Sequence, residues 1–148
     1  MKKIFIISFS ILLGIACKKE TPNITQPPIA TISKTVQFHV LQGQDYSASN
    51  FDNVQASVEL SLAVEELKDG SSKIYWDTLL PLQALRNYPT ANNALKIGKE
   101  IKGINPQKQV VRVSRKITYK HSDNHIYFVA SGETLQEFEN NKLYTINL

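Results

Sequence analysis

VQASVELSLAVEE, residues 54–66, is the stretch whose reading decides the fold. Val54, Ala56, Val58, Leu60, Leu62 and Val64 fall at every second position, with Gln55, Ser57, Glu59, Ser61 and Glu65 between or beside them. Apolar residues at spacing two would scatter around a helix but line one face of a strand, so the segment reads as a long strand with one buried face. Lys68-Asp69-Gly70-Ser71 follows, and Asp-Gly accepts the positive backbone angles of a tight turn. Ile74, Trp76 and Thr78 then alternate with Tyr75 and Asp77, which completes a hairpin.

Upstream, Val36, Phe38 and Val40 alternate with Gln37 and His39. Downstream, residues 80–85 contain Pro81, which cannot donate to a ladder, so they read as an edge strand or a bulged continuation. Leu95, Ile97 and Ile101 mark a weaker strand, with a short helix as the alternative, and Asn105-Pro106 marks a turn. A second long hairpin runs through Val111, Val113, Ile117 and Tyr119, turns at residues 121–124 and returns through Ile126, Phe128 and Ala130. Arg115 interrupts its apolar parity. A bulge there, or a guanidinium that is buried against a carboxylate or reaches an edge, would accommodate it, the bulge being the first expectation. The last segment reads as a third hairpin around Asn140-Asn141, or alternatively as a short helix from Glu133 to Glu139. Sequential hairpins without a long helical period predict an all-β chain. An antiparallel β-sandwich of immunoglobulin-like or Greek-key type is the first choice, and a small β-barrel the second.

The amino-terminal residues read differently. Lys2 and Lys3 precede an apolar run from Ile4 to Ala16, the layout of a secretory signal. As a helix that run reaches about 20 Å, short of the roughly 30 Å a stable membrane span must cross. It ends at Gly14-Ile15-Ala16-Cys17, followed by Lys18-Lys19-Glu20. This junction resembles the lipobox of bacterial lipoproteins, Ala16 being the small residue before the cysteine and Gly14 standing where leucine is usual. Its Ala-Cys-Lys-Lys-Glu run is similar to lipoproteins of the Bacteroidetes group. The resemblance implies that residues 1–16 are removed, that Cys17 is acylated and becomes the new amino terminus, and that the protein is held at the outer membrane of the cell envelope, facing the periplasm or the surface. Two or more acyl chains make such attachment durable where one does not.

Residues 17–32 carry Pro22, Pro27 and Pro28 and no apolar period, so they read as a flexible tether ahead of a single domain at 33–148. Cys17 is the only cysteine. Once lipidated it leaves none for a disulfide, so the domain must stand on its core, and a chain of this size can bury about two thirds of its unfolded surface.

Charge is unevenly spread. Residues 33–90 hold four basic and seven acidic side chains, residues 91–120 eight and one, and residues 121–148 one and four, giving net charges of −3, +7 and −3. Lys96, Lys99, Lys102, Arg112 and Lys116 in the basic stretch are candidate contacts for anionic lipid, acidic glycan or an acidic partner, against the alternative of a solvated face balanced by its flanks. Nucleic acid is not expected as a partner, because only Tyr119 offers a base a stacking surface there. Trp76 is a candidate sugar platform with Tyr75 and Tyr88, or else a core residue. His121, Asp123 and His125 are weak metal candidates around one turn, or else turn formers. No Gly-x-Ser-x-Gly elbow or phosphate loop occurs, so nothing calls for catalytic residues or a cofactor. The sequence therefore points to a membrane-anchored envelope lipoprotein carrying a non-catalytic binding or accessory module for an envelope protein, glycan or small ligand. A small envelope hydrolase or ligand-carrying β-barrel is the alternative.

Overall fold

The computed structural model describes residues 30–148, so the expected signal segment 1–16, Cys17 and most of the expected tether at 17–32 lie outside the described residues. Seven strands follow: β1 (Ile32–Leu41), β2 (Gln55–Glu66), β3 (Ser72–Ala84), β4 (Leu95–Ile104), β5 (Gln109–Lys120), β6 (Ile126–Thr134) and β7 (Asn141–Asn147). They form two sheets, one ordered β4-β1-β7 and the other β3-β2-β5-β6. This is the all-β sandwich read from the alternation, and no barrel closes. The sheets hold the first, fourth and seventh strands against the second, third, fifth and sixth. An immunoglobulin constant domain instead groups its first, second, fourth and fifth against the rest.

The deciding segment behaves as its period requires. Ala56, Val58, Leu60 and Leu62 of β2 are buried against Val36, Phe38 and Val40 of β1, with Val111, Val113 and Ile117 of β5 and Ile101, Tyr144 and Ile146 completing the core. Gly70 takes a positive φ in the β2–β3 turn, and Asp69 Oδ1 accepts from the Ser71 amide at 2.9 Å. Pro81 lies in β3, an edge strand, where the register slips between the pairs Val58–Leu80 and Ala56–Gln83, so its missing donor falls in a bulge. The stretch around Leu95 and Ile97 is strand β4.

Three expectations are corrected. The third hairpin does not form, and neither does the alternative helix. β6 ends at Thr134, still paired with β5, and after residues 135–140 the chain enters the other sheet as β7, parallel to β1 with Phe38 opposite Tyr144. No bulge resets Arg115. The β2–β5 register is unbroken through the pair Leu60–Arg115, and the guanidinium reaches sideways to β6, where its Nε donates to Ser131 Oγ at 2.6 Å. Finally, Ile126, Phe128 and Ala130 pair with Lys120, Thr118 and Lys116, so they lie on the outer face of the sheet, not on the core parity.

β1 holds the ends of the sandwich as well as its middle. Lys34 shares the inward parity of Val36 and Phe38 and is buried. Its ammonium donates to the carbonyls of Gln136 (2.7 Å), Glu137 (3.1 Å) and Glu139 (3.0 Å), fastening the β6–β7 connection. Burial holds its pKa below the usual lysine range, against the opposing pull of Glu139 and Glu137. At the other end the Gln42 amide donates to the carbonyls of Arg86 (3.0 Å) and Tyr88 (2.6 Å) in the β3–β4 connection. Lys34→Met keeps length and apolar stem but removes every donor. It should lower the unfolding free energy by about 3 kcal/mol in urea titrations, with an unchanged denaturant slope. An unchanged midpoint would show that the three carbonyls need no cation.

Candidate functional site

Four strands lie over three, and the extra width decides what is exposed. β6 is paired on one side only, with β5, and its other edge is open. Its inward residues Tyr127 and Val129 are not covered by the narrower sheet, while Ile126 and Phe128 point outward. The result is an apolar strand open on both faces, with Ile126 63%, Tyr127 48%, Phe128 64% and Val129 56% exposed. Single exposed apolar residues are ordinary, but four in succession along an unpaired edge are not.

The outer face of the wide sheet adds a shallow, open hollow of about 670 Å³. Ser61, Ser114 and Gly132 lie in one row across it, with Ala130 beside them, so its floor is made of small side chains. Glu59 and Lys116 pair across it at 3.1 Å, and the Lys116 ammonium sits 5.7 Å from the centre of the Phe128 ring. Next to them Arg112 is held by Glu65, one guanidinium contact measuring 3.1 Å, and that bond depresses the Glu65 carboxyl.

The uncovered inner side of β6 is polar at its end. Tyr144 of β7 donates its hydroxyl to Glu133 Oε1 at 2.5 Å, and Lys142 approaches the same oxygen at 3.8 Å. Arg115, Ser131, Glu133 and Tyr144 surround a small cavity of about 50 Å³ there, too small for anything but water.

The residues singled out in the sequence are dispersed. Lys96, Lys99 and Lys102 lie on β4 in the narrow sheet, whereas Arg112 and Lys116 lie outward on β5 in the wide one, each bound to a carboxylate. The basic stretch therefore forms no common surface. Lys102 pairs with Glu100 at 3.2 Å, and the Lys99 ammonium lies 5.1 Å from the centre of the Trp76 ring. Trp76 faces inward and stacks on Phe38 at 6.1 Å, and Tyr88 is buried with its hydroxyl donating to the Ala56 carbonyl at 2.9 Å. Neither ring is presented to a sugar. His125 Nδ1 meets Asp123 Oδ2 at 2.5 Å and His121 tilts over Tyr127, all at the exposed β5–β6 turn. Among the described residues no group of three His, Cys, Asp or Glu side chains converges as a metal site.

The surface the sequence reading overlooked is β6. Its signal was the unbroken apolar run Ile126-Tyr127-Phe128-Val129-Ala130, which gives both parities equal claim to the core. Comparison with protein-family models, with curated proteins and with solved structures returns no match.

The Tyr144–Glu133 pair carries a pH signature. Burial first, then the Glu133 carboxylate, raises the Tyr144 pKa far above its ordinary value. The folded state thus keeps a proton that the unfolded chain releases near pH 10, so this contribution is complete below about pH 10 and is lost as pH rises beyond it. Stability should fall above about pH 10, and Tyr144→Phe should flatten that fall in urea titrations between about pH 8 and 11. Parallel profiles for the two proteins would remove the assignment.

Proposed function

We propose that this chain is a lipoprotein of the bacterial cell envelope, acylated at Cys17 and held at the outer membrane, whose sandwich is a non-catalytic module that receives an extended polypeptide strand along β6. The signal-like residues 1–16 and the lipobox-like junction support the anchor. The open, apolar edge of β6 is the observation that carries the binding role. An edge strand offers a row of free N–H and C=O groups, and strand addition satisfies them while flanking side chains are covered.

Two features favour this reading over docking through basic side chains or aromatic platforms. The cations are divided between two sheets and Arg112 and Lys116 are already paired, and Trp76 belongs to the interlayer stack.

Cells fed a labelled fatty acid should yield a labelled protein in the membrane fraction, and Cys17→Ser should remove the label and free the protein. An unlabelled parent overturns the anchor. For the binding role, a photoreactive residue at position 129 should give cross-linked adducts in cells, and Phe128→Lys should abolish them. Their absence overturns strand docking whatever the outcome at Cys17.

A further inference from the structure

Two of the other three sheet edges are interrupted along their length, and the third, β7, is short and opens on a charge. β3 carries Lys73, Asp77 and Pro81 with two register slips, β4 carries Lys96, Lys99, Glu100 and Lys102, and β7 begins with Lys142 at its second position. Such charges, prolines and bulges are what keep sheet edges from pairing. β6 has none of them from Ile126 to Gly132. A strand that self-associates must be uncharged at its centre, because a two-fold axis sets the central residue beside its own copy.

The outer face of β6 is also complementary to itself. Phe128 protrudes two residues before Ala130, and two residues after it Gly132 borders the hollow with Ser114 and Ser61. A Cβ placed on Gly132 would come within 3.3 Å of Ser114 Oγ, so the backbone there lies close to its neighbour and is covered by no side chain of its own. An aromatic ring on a neighbouring strand is a known cover for a glycine in an edge strand.

We infer that the strand received by β6 is β6 of a second copy of this chain, antiparallel, about a two-fold axis through Ala130. In that register Phe128 lies opposite Gly132 of the second copy on the outer face, with its ring over the bare backbone and against the hollow. Ile126 then faces Thr134 of the second copy. On the inner face Val129 meets Ser131 and Tyr127 meets Glu133. The two wide sheets become one continuous sheet of eight strands, joined along about 30 Å. The inference rests on the strand-docking reading and adds the identity of the strand. A foreign strand would need to bring an aromatic ring to Gly132 and a small residue to Phe128, whereas a second copy supplies both at the right spacing. Antiparallel pairing also puts the two β1 entry points at opposite ends of the dimer. Two lipid tethers then reach one bilayer only when the two-fold axis stands along the membrane normal.

The test uses residues 17–148 with Cys17→Ser, which leaves introduced cysteines as the only thiols. Sedimentation across a concentration series should show a dimer, and Phe128→Lys should shift it to a folded monomer whose circular dichroism keeps the parent's strand content, since Phe128 is outside the core. Under mild oxidation Ala130→Cys should form a covalent dimer. Gly132→Cys should not, because the two copies of that position lie about 13 Å apart along the strands, beyond disulfide reach. A monomeric parent, or equal cross-linking at both positions, overturns the inference. Adducts from position 129 that contain only other proteins would overturn it too while leaving strand docking intact. No adducts at all would remove both.

Discussion

Phe38 lies between Trp76 and Tyr144, its ring centre 6.1 Å from one and 5.6 Å from the other, and the sandwich is organised around that stack. The three rings come from β3 in the wide sheet and from β1 and β7 in the narrow one, so a single set of contacts joins the layers and sets the parallel register of β7 on β1. Phe38 is fully buried, and truncating such a ring to alanine costs about 3–5 kcal/mol, a large part of the stability of a domain this size. With the only cysteine outside the described residues, no disulfide among them shares that task. Lys99 adds a cation–π contact to the stack, its ammonium 5.1 Å from the centre of the Trp76 ring.

A three-stranded sheet cannot cover a four-stranded one, and this mismatch explains both polar and apolar departures from a simple core. Arg115 has the parity of a core residue yet sits near the limit of coverage, where its guanidinium turns toward Ser131. One strand further out, Tyr127 and Val129 have core parity and no cover. Position in the sheet, not parity along the strand, decides burial there.

Local chemistry was legible in the sequence. The Asp-Gly turn, the two long hairpins and the edge position of Pro81 follow from residues close to one another in the chain, and each is present. The pairing of β7 was not legible, because it joins residues about a hundred positions apart and depends on Lys34 gathering the carbonyls of the β6–β7 connection. A lone lysine in an apolar run reads as an edge or a solvated residue, and nothing local reveals three carbonyls waiting for it. The candidate site was hidden for another reason. Ile126 to Ala130 is apolar at every position, so alternation could not say which side faced out, and the neighbouring basic residues drew attention by number although each sheet received only some of them.

β1 is bonded along both edges, to β4 and to β7, and it is the first strand after residue 30. Any force transmitted through the preceding residues enters the domain at Ile32 and runs along that strand. To give way, β1 must slide past two neighbours at once, breaking rows of hydrogen bonds loaded together instead of one after another. Lys34, two residues inside the loaded end, adds a cross-brace to the far connection. A pull on the chain ahead of Ile32 therefore loads the two bonded edges of β1 in shear.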